Sequence, residues 1–212
     1  MEYALVCRPG EGATLRLDYR AFAYAGKFVV GAPGKSVIRT PDGGPAAPDW
    51  TPDEPLPETV TPDAFEADVI AAVSFSPDRT DPDCCRLRYV TVHAARRGEG
   101  IGPRLINETV ADLAADGFDR VKIAVNNPFA YEACHKCGFG YTGERTGLAE
   151  LELERPAATP ARVDPRRYRE GMATFRETDG ELSRAERRFV AERVERGPPA
   201  VDAGGAGSED PR

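Results

Sequence analysis

Between residues 84 and 116 the chain runs through an apolar, β-branched stretch, CRLRYVTV, then RRGEGIG, then apolar residues at helical spacing. Few backbones satisfy that order. Glycine at positions 98, 100 and 102 deletes three side chains between a strand and a helix. The turn is thereby freed for conformations that a Cβ forbids. Ile101, Leu105, Ile106, Val110 and Leu113 share one helical face, Pro103 sits in the first turn, and Gly117 stops the helix. Consecutive amides in such a turn point into one concavity, and the helix N-terminus adds partial positive charge, which suits a pyrophosphate. Arg97 adds a charge-assisted contact on this reading. The alternative is a tight turn that holds no ligand.

Two phosphate loops do not fit. A dinucleotide fingerprint starting at Gly98 needs glycine where Pro103 stands. A P-loop across VVGAPGKS needs glycine where Val29 stands, so Gly31 to Ser36 reads as an ordinary turn.

Upstream, YALVC, LRLDY and GKSVIRT carry strand alternation, and YRAFAYAGKFVV fits a short helix or continued strand. Residues 41–64, dense in Pro, Asp and Gly, read as a long surface loop or disordered insert pinned by Trp50. DVIAAVSF is the strand before the motif. Downstream come a strand, RVKIAV, and a helix in NNPFAYEACHKC, capped by Asn127, opened by Pro128 and ended by Gly138. FGYTGERT and LAELELER form a hairpin with Glu150, Glu152 and Glu154 on one side and Leu151 and Leu153 on the other. Two short helices follow: residues 164–177, with Tyr168, Met172 and Phe175, and residues 181–196, with Leu182, Ala185, Phe189, Val190 and Val194. The expected organisation is a domain over 1–156, a helical extension over 157–196 and a disordered tail over 197–212.

The 212 residues are 41% hydrophobic and 30% charged, enough for a core, with a net charge of -7. That balance argues against nucleic acid or an anionic membrane as a general partner. No window approaches the roughly eighteen apolar residues of a membrane span. MEYALVCRPGEG lacks the basic start and apolar stretch of a secretory signal, so a cytoplasmic protein with reduced cysteines is expected. Cys134, Cys137 and His135 with Cys84 and Cys85 offer zinc-binding atoms. The first pair lies on a helix and adjacent cysteines chelate poorly, so no metal is expected.

Strand, glycine loop, helix, strand, NNPFA, helix, KCGFGYTGE and a closing hairpin follow in order within residues 84–155. This order resembles the GCN5-related N-acetyltransferase superfamily. The resemblance implies a mixed α/β fold: a mostly antiparallel sheet splayed between two parallel strands and flanked by helices. It also implies that acetyl-CoA is the co-substrate, its pyrophosphate held by Arg97, Gly98, Glu99, Gly100, Ile101 and Gly102. Backbone groups of Val90, Thr91 and Val92 then bind the pantetheine arm and polarise the thioester, and Asn127 contacts the arm as well as capping its helix.

The chain departs from that pattern four residues past Ala130. Where the family often carries a tyrosine that protonates the departing thiolate, this sequence has Cys134, with Tyr131 on the same helical face as a substitute. No carboxylate stands on the strand before the loop; His93 is the candidate base by chemistry, although its position just after the strand also reads as that of an exposed loop-edge histidine. The implied activity is direct acetyl transfer to an amine in a ternary complex. The alternative is a non-catalytic CoA-binding or interaction module. The amine acceptor is not readable from the sequence, and the oligomeric state is open, a homodimer among the options.

Overall fold

The computed structural model describes residues 1–147, 150–176 and 182–201. It divides into two compact units, Met1–Thr109 and Val110–Arg212. The architecture is mixed α/β, and the strand pairs within each unit are antiparallel.

The first unit holds β1 (Glu2–Cys7), β2 (Gly34–Arg39), β3 (Val69–Pro77) and β4 (Cys84–Val92), ordered β1-β2-β3-β4. β3 carries Val69, Ile70, Ala71, Ala72 and Val73 in succession, all without solvent exposure. A run with no polar alternation suits a strand covered on both faces. Against the sheet packs a cluster of Leu15, Leu17, Phe22, Ala25 and Phe28, with Trp50 and Tyr89 at its margin.

The segment feeding that cluster departs from expectation. LRLDY forms no strand, although Leu15 and Leu17 are buried and Arg16 is exposed. Its backbone is instead held by single bonds, Leu15 N–H to Phe28 O at 3.0 Å and Glu66 N–H to Arg16 O at 2.8 Å. The alternation was real, but tertiary packing satisfies it without a ladder. Residues 20–31 are neither helix nor strand but turns around a short 3₁₀ turn, Ala25–Lys27. Tyr24 enters that turn at φ 60°, which an α-helix does not tolerate.

Residues 41–64 contain one 3₁₀ turn, Pro62–Ala64, and are otherwise irregular. They are nevertheless tied down. Ala46 N–H donates to Ala67 O at 2.8 Å, Arg20 Nη1 to Glu54 O at 3.1 Å, and Trp50 meets the His93 ring edge-on at 4.8 Å. Lys35, in the rejected GAPGKS stretch, is buried, with Nζ donating to the carbonyls of Ala13, Val30 and Pro33 at 2.7, 2.8 and 3.0 Å. Burial pushes its pKa down.

Helix α1 (Ile101–Ala115) carries the chain across the unit boundary and buries the anticipated face: Ile101, Leu105, Ile106, Val110 and Leu113. The second unit holds β5 (Arg120–Val125), α2 (Pro128–Lys136), β6 (Gly140–Thr146), β7 (Glu150–Pro156), α3 (Pro165–Thr174) and α4 (Arg184–Arg196), with strand order β5-β7-β6. Leu151 and Leu153 are buried. Glu152 and Glu154 pair with Lys122 at 3.0 and 3.3 Å.

Both C-terminal helices begin at side-chain caps. Asp164 accepts from the amides of Arg166 and Arg167, and Ser183 with Glu186 forms a capping box. Tyr168, Met172 and Phe175 are buried as expected for α3. The α4 stripe is narrower than anticipated. Val190 alone is fully buried, Leu182, Phe189 and Val194 are half-buried, and Ala185 is exposed. Polar contacts do more for α4: Arg193 Nε and Arg196 Nη2 reach the buried Glu132 carboxylate at 2.9 and 3.4 Å. The expected disordered tail lies, from residue 202 on, outside the described residues.

Candidate functional site

At the end of β4 the chain turns at His93, runs through a 3₁₀ turn (Ala94–Arg96) and enters α1 at Ile101. Gly98 and Gly100 sit at φ 88° and 76°, and a Cβ at either would meet nothing within 4 Å. Backbone conformation, then, and not crowding by the rest of the protein, is what requires glycine there. Among the described residues, no main-chain amide from Arg97 to Gly102 donates a hydrogen bond of good geometry. The next amide along α1, that of Arg104, donates to Gly100 O at 3.2 Å. A run of exposed donors at a helix N-terminus is what an anion needs.

The charges of the loop are arranged around those donors. Glu99 would repel an anion, but Arg96 grips its carboxylate, Nε at 2.8 and 3.0 Å and Nη2 at 2.9 Å. That bond to Arg96 pulls the Glu99 pKa down, so the pair stays ionised and mutually neutralised. Arg96 also donates to Ala46 O at 3.0 Å, which fastens the 41–64 segment beside the loop. Arg97 is exposed and donates through Nε to Val92 O at 3.3 Å, leaving its guanidinium at the strand end.

In β4, Val90, Thr91 and Val92 pair with Val73, Ala72 and Ala71 of β3. Thr91 is buried, with an Oγ1 that has no partner among the described residues, while Val90 and Val92 are half-buried. Just upstream of these three residues the ladder slips: Ser74 opposes Tyr89 and Phe75 opposes Leu87, leaving Arg88 as an extra residue. Arg88 is a β-bulge.

His93 is not the exposed loop-edge residue that its position suggested. It is buried between Phe22, at 5.2 Å, and Trp50, and its Nδ1 accepts from Ala95 N–H at 3.2 Å. That bond assigns the proton of the neutral ring to Nε2 and engages the lone pair a base would use. Burial lowers its pKa, against the opposing pull of Asp18.

The remaining expected residues belong to the second unit. Asn127 caps α2, accepting from Ala130 N–H at 2.9 Å, and its amide nitrogen donates to Asn126 Oδ1 at 3.3 Å. Tyr131 has no exposed surface, and its hydroxyl donates to Tyr168 O at 3.1 Å. The rings of His135, Tyr168, Phe175 and Tyr141 surround it, and burial pushes its pKa up. Cys134 is buried, with its pKa raised well above the usual thiol range by burial. Both side chains are therefore poor proton donors to anything outside their own unit's core. All five cysteines are buried and none forms a disulfide. No group of three or more His, Cys, Asp or Glu side chains among the described residues is placed to hold a metal ion.

Sequence reasoning passed over a cavity of about 910 Å³ in the first unit, lined in part by Lys27, Asp78, Arg79, Arg86, Arg88 and Tyr89. The Arg-Leu-Arg-Tyr run of β4 was its only local trace. The bulge that turns it into a lining is a tertiary feature.

Residues 39–139 match the profile of the Acetyltransferase (GNAT) family. No curated protein matches the chain. Among solved structures, an N-acetyltransferase from Staphylococcus aureus Mu50 is 14% identical, with a TM-score of 0.42 over 59% of this chain and 68% of its own. A GCN5-related N-acetyltransferase from Kribbella flavida is 20% identical, with a TM-score of 0.41 over 58% of this chain and 67% of its own. A phosphinothricin acetyltransferase from Sinorhizobium meliloti, in complex with AcCoA, is 17% identical, with a TM-score of 0.42 over 58% of this chain and 60% of its own. No helix among the described residues is long and apolar enough to cross a membrane.

Proposed function

We propose that the protein is an acetyltransferase of the GNAT family, whose profile residues 39–139 match, and that it moves an acetyl group from acetyl-CoA directly to an amine. The observation that carries this reading is the unengaged run of amides from Arg97 to Gly102 at the start of α1. They receive the pyrophosphate of the co-substrate, with Arg97 adding charge and Arg96 offsetting the charge of Glu99. Backbone groups of Val90 to Val92 align the pantetheine arm and polarise the thioester carbonyl. Aimed at the developing oxyanion, such a donor contributes on the order of 10² to 10³ in rate.

The acceptor nitrogen attacks the carbonyl carbon, the C–S bond breaks, and coenzyme A leaves as a thiolate that takes a proton. The amine's surplus proton passes to solvent. We assign neither proton transfer to a buried side chain. Tyr131, Cys134 and the Nδ1 of His93 are all engaged or enclosed, so positioning and carbonyl polarisation carry the rate. Five reduced cysteines suit a cytoplasmic setting.

Calorimetric titration with acetyl-CoA, followed by a thiol-release assay over a panel of amines, tests the reading. The expected result is saturable binding together with thiol release that depends on the amine. Tight binding without release on any amine, by a folded sample, would favour a module that binds coenzyme A without catalysis.

A further inference from the structure

The cavity beside the bulge is strongly biased in charge. Lys27, Arg79, Arg86 and Arg88 contribute cations, and Asp78 is the one carboxylate among its described lining residues. Asp78 is already engaged. It accepts from Thr80 N–H and Oγ1 at 2.9 and 2.8 Å and forms an ion pair with Arg86, and these bonds hold its pKa well below the usual carboxylate range. Lys27, Arg79 and Arg88 have no carboxylate partner among the described residues.

Arg88 and Tyr89 are consecutive, and strict strand alternation would send them to opposite faces. The bulge at Arg88 breaks the alternation, so both line the cavity. Arg88 is then held by its Nε bond to Ser76 Oγ at 2.8 Å, which orients the guanidinium and leaves its terminal nitrogens for a ligand. Lys27 lies 5.8 Å from the Tyr89 ring centroid, a cation–π contact that fixes its ammonium above the ring without neutralising it. The result is a group of oriented cations with an aromatic floor.

We infer that this cavity holds the acceptor by an anionic group, a carboxylate or a phosphate, carried on the same molecule as the amine. The inference rests on the function proposed above: Tyr89 lines the cavity and directly precedes Val90, where the thioester is polarised. An acceptor anchored on Lys27 and Arg88 therefore presents its amine toward that end of β4. Neutral amines lack the anchor, and polyamines are repelled by the same charges.

Matched probes test it. Phosphoethanolamine is compared with ethanolamine, and β-alanine with β-alaninamide, as acceptors in the thiol-release assay. The acid-bearing member of at least one pair is expected to have a kcat/KM about 10- to 100-fold higher, the range of a charge-assisted contact. Arg88→Gln should collapse that ratio while leaving the affinity for acetyl-CoA unchanged. Equal use of charged and neutral partners, or a ratio that survives Arg88→Gln, would overturn the inference. If no amine is acetylated, direct binding decides. Phosphoethanolamine and β-alanine are titrated into a Gly100→Val protein, whose α1 loop is blocked, with and without Lys27→Gln and Arg88→Gln. Saturable uptake lost in the double substitution keeps the anion site while the acetyl-transfer reading fails. Uptake that is absent, or indifferent to the two substitutions, removes the site.

Discussion

The stretches 93–102 and 126–137 are built to one plan, each leading from the end of a strand into a helix, yet they leave their polar groups in opposite states. From Arg97 to Gly102 the amides have no acceptor among the described residues, and Gly98 and Gly100 face open space. In α2 the cap is closed by Asn127, and Tyr131, Cys134 and Glu132 are all buried. The Tyr168 hydroxyl and two arginines of α4 converge on Glu132. One strand-to-helix turn leaves its amides unengaged among the described residues, and the other is consumed by the C-terminal helices of its own unit. A position that resembles a catalytic one by spacing can thus serve packing when an added helix supplies it with partners.

The largest effect that bears on this contrast is one of pH. His135, next to Tyr131 and Tyr168, is buried with its Nε2 unpartnered among the described residues, and burial pushes its pKa down to about 4. The unfolded chain binds that proton near about pH 6.5, so between the two values the unfolded state holds more protons than the folded one. Stability is complete above about pH 6.5 and falls as the pH drops toward 4, by on the order of 3 kcal/mol in all. Urea unfolding of the wild type and His135→Phe at pH 7.5 and 4.5 checks this. If both proteins lose the same stability, α2 is not the closed element described here.

Gly100→Val strikes the open region. Its φ of 76° strains any β-branched residue, and a side chain there projects over the loop. Acetyl-CoA affinity should fall about 100-fold, near 2.7 kcal/mol, while the protein stays folded. Unchanged affinity by calorimetry would dissolve the contrast from the loop side.

The smallest effect comes from Tyr131→Phe, which removes only the bond to Tyr168 O. It should cost about 1 kcal/mol of stability and leave kcat unchanged. A kcat reduced about 100-fold with KM unaltered would instead make Tyr131 the acid and open α2 to the reaction.

The legible parts of this chain are those written locally. α1 and α2 were readable nearly to their ends, since Gly117, Asn127, Pro128 and Gly138 act on backbone within a turn of themselves. The α1 loop was legible for the same reason, its glycine spacing being a property of seven residues in a row. Residues 15–31 were not, because Leu15 and Leu17 satisfy a strand's burial pattern through the cluster around Phe22 and Phe28. Whether Tyr131 looks outward or inward depends on α3, more than thirty residues away, and helical spacing is silent on that. The bulge at Arg88 needed a partner strand to be seen, and with it went the cationic cavity.

Trp50 is the only tryptophan in the chain, and its indole rests edge-on against His93, just ahead of the glycine turn. The molecule thus carries a built-in optical gauge. Near-ultraviolet emission excited at the indole band arises from one site, where the irregular 41–64 segment meets the end of β4. Protonation of the imidazole quenches such a neighbour, so the colour and intensity of that light register the seating of the segment without any attached dye.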